Sequence, residues 1–450
     1  MIKEEFNLLA LSPIDGRYAY ITQPLSDFFS EYALIKTRVE IELKYLLFLS
    51  DQKIARKLSK KERLLIEKVY QQFSLSDALT VKEIEAKTRH DVKSVEYFLR
   101  EKLKRLGIKD IDSWIHFGLT SNDINELAYR LTLKQALDKI IVPELRNLNR
   151  SLLLFSQKYR TLPMLGRTHG QPAVPTTLGK EIAVFQKRLS RELNNLKKIV
   201  FYSKFGGAVG NWNSLALAYP NKDWVKLSRE FLAQFSLDLN PVTTQTAPPE
   251  DLTSLFQLIM RINFILIDFN QDIWRYISDG WLSLQRGKGQ VGSSTMPQKI
   301  NPIDFENSEG NLILANGIFE VLCRKLPISR LQRDLSDSTV LRNVGTTFGL
   351  CLIAYKSCQR GLRNLDINKE KVREALNSDW SILSEGIQTL LRKAGYPSAF
   401  EKILPLVQGK SLNKKSYIKM VDTLDIPKNL KSRLKRLRPE KYLGLAAKLV

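Results

Sequence analysis

The chain's reactive side chains fall in a few short polar segments, and the densest is residues 287–302, GKGQVGSSTMPQKINP. Ser293, Ser294, Thr295, Lys299 and Asn301 stand there among glycines and prolines that interrupt strong helical patterns on either side. The stretch is therefore read as a long loop, and long loops in compact folds commonly carry function. A serine hydroxyl is a poor base in water, but the N–H groups of a glycine-rich loop and a nearby lysine supply a field that eases its deprotonation. Histidine offers the complementary chemistry, since it exchanges its proton near neutrality. The chain has only three histidines, in RHDV (89–92), IHFGLTSND (115–123) and GRTHGQP (166–172). Gly287, Gly289 and Gly292 literally satisfy G-x-G-x-x-G. A dinucleotide fingerprint, however, follows a strand and opens a helix, whereas Pro297 and Pro302 follow here, so these glycines read as hinges of a loop.

Helices must position these segments. From Ile182, the apolar residues Phe185, Leu189, Leu193, Leu196 and Val200 recur at steps of three and four, with Lys187, Arg188, Arg191 and Glu192 between them. Leu255, Ile259, Ile262, Leu266, Phe269, Ile273 and Tyr276 repeat the pattern, as do Leu127, Leu131, Ile141, Leu145, Leu148 and Leu152, and the run from Leu312 to Val321. No period-two alternation is long enough for a sheet, and no Asn-Gly or Asp-Gly turn joins strand-like runs. The expected fold is all-α, with three helical domains: an N-terminal domain (1–111), a central long-helix bundle (112–365) carrying the loop 280–302, and a C-terminal domain (366–450). Its boundaries fall in the turn-rich stretch 107–112 and at 364–368.

Composition narrows the function classes. With 43% hydrophobic and 26% charged residues and no low-complexity tract, the chain is expected to fold throughout. The N-terminal MIKEEF places two acids where a secretory leader carries basic residues. Arg261, Asn263, Asp268, Asp272 and Arg275 interrupt the longest apolar-rich helix, around 255–277, which marks a core helix rather than a bilayer span. Cys323, Cys351 and Cys358 sit among apolar residues without ligand spacing, so neither a metal site nor a disulfide is expected. The net charge is +23, yet residues 410–450 alone hold twelve Lys/Arg against three Asp/Glu. With only Tyr417 and Tyr442 as aromatics there and no nucleic-acid motif, that segment reads as a solvated basic face, and nucleic acid is not the expected partner.

Residues 292–302, GSSTMPQKINP, resemble the G-S-S-x-M-P-x-K-x-N-P signature of the fumarase/aspartase superfamily. HFGLTSND is similar to its T-S-x-D segment, and RTHGQ and RHDV are similar to the T-H-G-Q and H-D-V segments of its adenylosuccinate lyase branch. SPIDGRY (12–18), DFENSEGN (304–311) and QRDLSDSTVLRN (332–343) resemble the long bacterial form of that branch. The likeness covers nearly the whole chain and is least distinctive after about residue 366. Gln298 departs from the pattern, since many members of the branch have His there.

The resemblance implies elimination of fumarate from succinylated purine nucleotides, with no cofactor and no metal. It assigns the general base to Ser293 and the general acid to His169. Lys299, Asn301, Thr120, Ser121 and Ser294 are implied donors to the developing charge on the substrate carboxylate, and Thr168 and Gln245 further contacts to the succinyl end. Arg17, Tyr18, Arg333, Ser338 and Arg342 are implied for phosphate and ribose, matching guanidinium forks and hydroxyls to phosphate oxygens. Arg89, His90, Asp91 and Asn307 complete the substrate set. The implied assembly is a cytoplasmic homotetramer with active sites shared between subunits and no membrane partner.

Overall fold

The structure is a computed structural model describing residues 7–285 and 295–450. It divides into two compact units, one of Met1–Leu145, Glu192–Asn263 and Gly310–Ala354, the other of Arg146–Arg191, Phe264–Glu309 and Tyr355–Val450. The helices that matter below are α1 (Glu31–Asp51), α2 (Leu75–Thr88), α3 (Asp91–Arg105), α4 (Ser121–Ala136), α5 (Val142–Lys158), α6 (Leu178–Leu196), α7 (Glu250–Ser278), α8 (Ile303–Lys325), α9 (Ser336–Leu341) and α10 (Val344–Arg363).

In the first unit, α1 is buried along most of its length, and Val39, Ile41, Leu43, Leu46 and Leu49 are all solvent-free. Its start is fixed by Ser30, whose hydroxyl accepts the Ala33 amide. Phe256 of α7 stacks on Phe319 of α8, which meets Phe348 of α10 edge-on, and Phe348 stacks on Phe29. A buried ion cluster crosses this core. Arg130 of α4 grips Asp251 of α7 through Nε (2.8 Å) and Nη2 (3.0 Å), and also bonds Glu126. Burial drives the Glu126 carboxyl above the usual range even with that guanidinium beside it.

In the second unit, Phe185 of α6 packs edge-on against Phe269 of α7, and Phe269 against Phe305 of α8. The periodicity read from the sequence stands for Phe185, Leu189, Leu193 and Leu196, all buried, but α6 ends at Leu196 and Val200 is exposed beyond it. The long apolar helix α7 has the length and composition to cross a membrane, yet most of it is buried inside the protein. Helices dominate as expected, and among the described residues three short two-stranded sheets accompany them. One is the hairpin β1 (Pro163–Thr168) and β2 (Gln171–Thr177), where Thr168 pairs with Gln171 across the two-residue loop His169-Gly170. Both loop residues have positive φ (53° and 73°), the geometry of a tight hairpin turn that Asn-Gly usually supplies. Part of the segment expected as loop is also a strand: Leu282–Leu284 pairs antiparallel with Leu365–Ile367.

Candidate active site

Candidate residues of the first unit gather in two groups. In one, Arg333 donates from Nη1 to Gln245 Oε1 (3.3 Å) and from Nη2 to Ser338 Oγ (3.0 Å), joining residues far apart in sequence. Each is held by its neighbours. Gln245 donates its amide to the Gln332 carbonyl, and its own carbonyl accepts Asn122 Nδ2 of α4 (3.1 Å). Arg333 lies in a turn knotted by Asp334, which accepts the amides of Arg330 and Ser336 and the Ser336 hydroxyl. Those bonds, the Ser336 hydroxyl first, hold the Asp334 carboxyl down to about 2. Ser338 follows on α9, and Arg342 lies exposed just beyond it. Arg342 also lines a cavity of about 780 Å³ with Asp15, Tyr20, Ser26 and Thr346. Arg17 lies over the ring of neighbouring Tyr18, 6.0 Å from its centroid.

The second group forms where α3 and α4 begin. Arg89 closes α2 in the left-handed conformation (φ 53°), and His90 caps α3 by accepting the Lys93 amide at Nδ1 (3.2 Å). A neutral His90 therefore carries its proton on Nε2, which faces Ser121 Oγ at 3.5 Å, the limit of hydrogen-bond reach. Asp91 pairs with Arg38 (2.6 Å). Burial alone would raise its carboxyl; Arg38, the Val92 amide and His90 outweigh that and hold it below the usual range. Thr120 donates its amide to Asp123 Oδ2 (2.8 Å) at the start of α4. Asp123, fully buried, also accepts Lys204 Nζ (2.6 Å) and the amides of Gly206 and Gly207.

The sequence reading missed several residues that build this group: Arg38, Glu42, Asp123 as an anchor, and Lys204. The fixed Asp of the T-S-x-D segment was the available signal for Asp123. Nothing in the sequence marks Arg38 and Glu42 as buried partners of segments about 50 and 75 residues away.

Candidates of the second unit are arranged differently. Thr168 and His169 are exposed at the hairpin turn, and among the described residues of that unit His169 makes no hydrogen bond to another candidate. The hairpin's base is fixed: Gly166 sits at its bulge, where a Cβ would come within 2.6 Å of the Val174 carbonyl, and Arg167 lies over the Trp281 ring (5.3 Å). Lys299 is exposed with its amide bonded to the Met296 carbonyl (3.0 Å), and Asn301 is half-buried. Asn307 on α8 accepts the Ser357 hydroxyl (2.9 Å), which in turn receives Arg360 Nη2. Ser293, Ser294 and the glycines Gly287, Gly289 and Gly292 lie outside the described residues. Among the described residues, no three His, Cys, Asp or Glu side chains cluster as a metal site would require. Cys351 and Cys358 are buried, Cys323 is half-buried, and burial pushes the Cys323 and Cys358 thiols up.

Residues 16–317 match the Lyase family, and residues 329–443 match the family Adenylosuccinate lyase C-terminal. Among solved structures, the fold is similar to that of a fumarate lyase from Mesorhizobium sp. BNC1 (TM-score 0.78, 18% identity, 95% of this chain and 96% of that one). It is also similar to a 3-carboxy-cis,cis-muconate lactonizing enzyme from Pseudomonas putida (TM-score 0.75, 21% identity, 96% of each). In sequence, the chain is 44% identical to the adenylosuccinate lyase of Haemophilus influenzae over 98% of both chains. It is 42% identical to that of Escherichia coli over 99% of this chain and 98% of that one. The chain belongs to the adenylosuccinate lyase family.

Proposed function

We propose that the protein catalyses the anti β-elimination of fumarate from adenylosuccinate, giving AMP, and from the succinylated aminoimidazole carboxamide ribotide, giving AICAR, in purine nucleotide biosynthesis. The observation that carries this reading is the Gln245–Arg333–Ser338 cluster. A guanidinium braced from two sides, with Arg342 nearby in sequence, suits a phosphate better than any feature a non-nucleotide succinyl substrate would need.

The elimination takes a proton from a carbon next to a carboxylate and returns one to the departing nitrogen, so it needs one base and one acid. Ser293 is the base and His169 the acid. Charge that builds on the carboxylate as the proton leaves is met by Lys299, Asn301, Thr120, Ser121 and Ser294, while Thr168 holds the succinyl end and Gln245, bonded to Arg333, steadies that guanidinium. Arg17, Tyr18, Arg333, Ser338 and Arg342 take phosphate and ribose, and Arg89, His90, Asp91 and Asn307 complete the pocket. No step of this scheme calls for a metal or redox group.

The working assembly in this reading is a cytoplasmic homotetramer whose sites draw residues from several subunits. Ile313, Leu314 and Val321 of α8 are each more than half exposed along a groove with Leu322 and Val340, and burying that face against other copies accounts for them. Succinyladenosine, the substrate without its phosphate, tests the nucleotide assignment. Its kcat/KM should fall about 10- to 100-fold below that of adenylosuccinate, the scale of lost hydrogen bonds to a charged group. Equal values would remove the phosphate role, and turnover of argininosuccinate in preference to both would move the protein to a sister activity.

A further inference from the structure

Arg38, Glu42 and Tyr45 follow one another at spacings of four and three on α1 and so share one face of that helix. All three are at most 2% exposed, and all three reach the segments that bear His90, Thr120 and Ser121. Arg38 binds Asp91 Oδ2 (2.6 Å) and Asn125 Oδ1 (2.9 Å). Glu42 takes two bonds from one residue: the His116 amide donates to Oε2 (3.1 Å) and His116 Nδ1 lies 2.6 Å from Oε1. Tyr45 Oη donates to the Phe117 carbonyl (3.1 Å).

The segment so gripped needs holding. His116 and Gly118 both have positive φ (61° and 69°), a conformation that costs a residue with a side chain about 1 kcal/mol or more. A Cβ on Gly118 would overlap Leu215, so the loop also runs tight against its surroundings. Thr120 and Ser121 follow immediately, with Asp123 fixing their far side. The two hydroxyl-bearing residues thus sit between two carboxylate anchors, Glu42 through residue 116 and Asp123 at the helix start. A buried carboxylate is an expensive way to stabilise a fold, and apolar packing of the same volume commonly serves as well.

We propose that the Arg38–Glu42–Tyr45 face is a positioning element for the reaction, in which Glu42, through its two-point hold on His116, sets the Thr120 and Ser121 hydroxyls where the substrate carboxylate develops its charge. This rests on the reading above that those hydroxyls are carboxylate donors. The charged groups that act on His116 are Glu42 from α1, Glu96 of α3 (paired with Lys93 and Arg100), and Asp123 of α4 (paired with Lys204), and Tyr45 sits beside Glu42 and Asp123 with its hydroxyl on the Phe117 carbonyl. Burial pulls the imidazole down, but Glu42, with Glu96 and Asp123, more than reverses this, and His116 titrates above the ordinary histidine value.

The test uses the full-length enzyme and adenylosuccinate. E42A removes both bonds and should lower kcat/KM about 100-fold, the scale of an ångström's misplacement of a reacting group. S121A should lower it as well, and the double variant should fall no more than about 3-fold below the weaker single, because the two changes remove the same interaction. E42Q should restore activity at high pH, where a neutral His116 accepts from the new amide at Nδ1. It should lose activity as pH falls and both His116 groups become donors. A clamp that is only structural would lower thermal stability in all three without that acid-side loss. Well-folded E42A with wild-type kcat/KM, or multiplicative losses in the double variant, would overturn the proposal. If E42A does not fold, the pH profile of E42Q and the activity of H116N decide it; Asn tolerates the left-handed backbone and its Nδ2 can donate to Glu42 in place of Nδ1, keeping the hold, so a flat profile and an inactive H116N both count against the proposal. Should S121A and T120A both turn over at the wild-type rate, the donor assignment itself is wrong and the positioning role falls with it.

Discussion

Replacing Asp123 by Asn should destabilise the protein severely, because among the described residues the carboxylate is the one counter-ion within bonding distance of the buried Lys204. Asp123 and Lys204 are both fully buried, with Nζ 2.6 Å from Oδ1, and the same carboxylate receives the amides of Thr120 (2.8 Å), Gly206 (3.0 Å) and Gly207 (3.1 Å). Asn keeps the shape and one acceptor oxygen but turns an NH2 toward donors and leaves the Lys204 ammonium uncompensated. Breaking a buried pair from one side costs about 3–5 kcal/mol, a large part of the roughly 5–15 kcal/mol that holds a domain together. K204M should cost a similar amount by stranding the carboxylate. The double variant D123N/K204M carries no buried charge and should recover at least half of the summed losses. Urea unfolding followed by circular dichroism, at fixed protomer concentration, measures all three. A loss below about 1 kcal/mol for D123N, or simple additivity in the double variant, would refute the view that this pair anchors the Thr120–Ser121 segment.

Other consequences are equally direct. Ser293→Ala should reduce kcat about 10²- to 10⁴-fold with substrate binding largely retained, and near wild-type turnover would remove it as the base. Inactive S293A and H169A chains, unfolded and reassembled together, should regain roughly a quarter of the wild-type sites if each site takes these residues from different subunits; mixed assemblies with exchanged chains that stay inactive would place both in one chain. Stability should also follow His116. Its pKa is raised by folding, so its contribution is fully present below about pH 6.5, the unfolded value, and is lost as pH rises through the folded value. The stability advantage of wild type over H116N should therefore shrink on going alkaline, and growth of that advantage would contradict the pairing with Glu42. Prolonged dialysis against a chelator should leave activity unchanged; loss reversed by one particular metal would contradict the cofactor-free scheme.

Much of the architecture was legible because long helices repeat their apolar residues often enough to average out local exceptions. The stripe from Leu255 to Ile273 is buried without exception. Short elements lack that redundancy. The hairpin at 163–177 contains Pro163, Pro172 and Pro175, which argue against a strand in any sheet with neighbours on both sides. A lone pair of strands leaves both outer edges free, so prolines fit, and His169-Gly170 does the work of Asn-Gly. The motif segments pointed to the Arg333 cluster and the His90–Ser121 pair because their residue types are chemically unusual together. The supports behind them stayed hidden for a different reason. On α1, Arg38 and Glu42 look like an ordinary surface ion pair at a spacing of four, and only the packing of α3 and the residue 115–119 loop against that face turns each toward a separate, distant partner.

The most direct measurement of the central claim is the ultraviolet change on incubating the purified, folded enzyme with adenylosuccinate, with AMP and fumarate identified as products. Equimolar AMP and fumarate should form without added metal or cofactor, and neither should form in Ser293→Ala. Well-folded protein that releases neither product would contradict the claim.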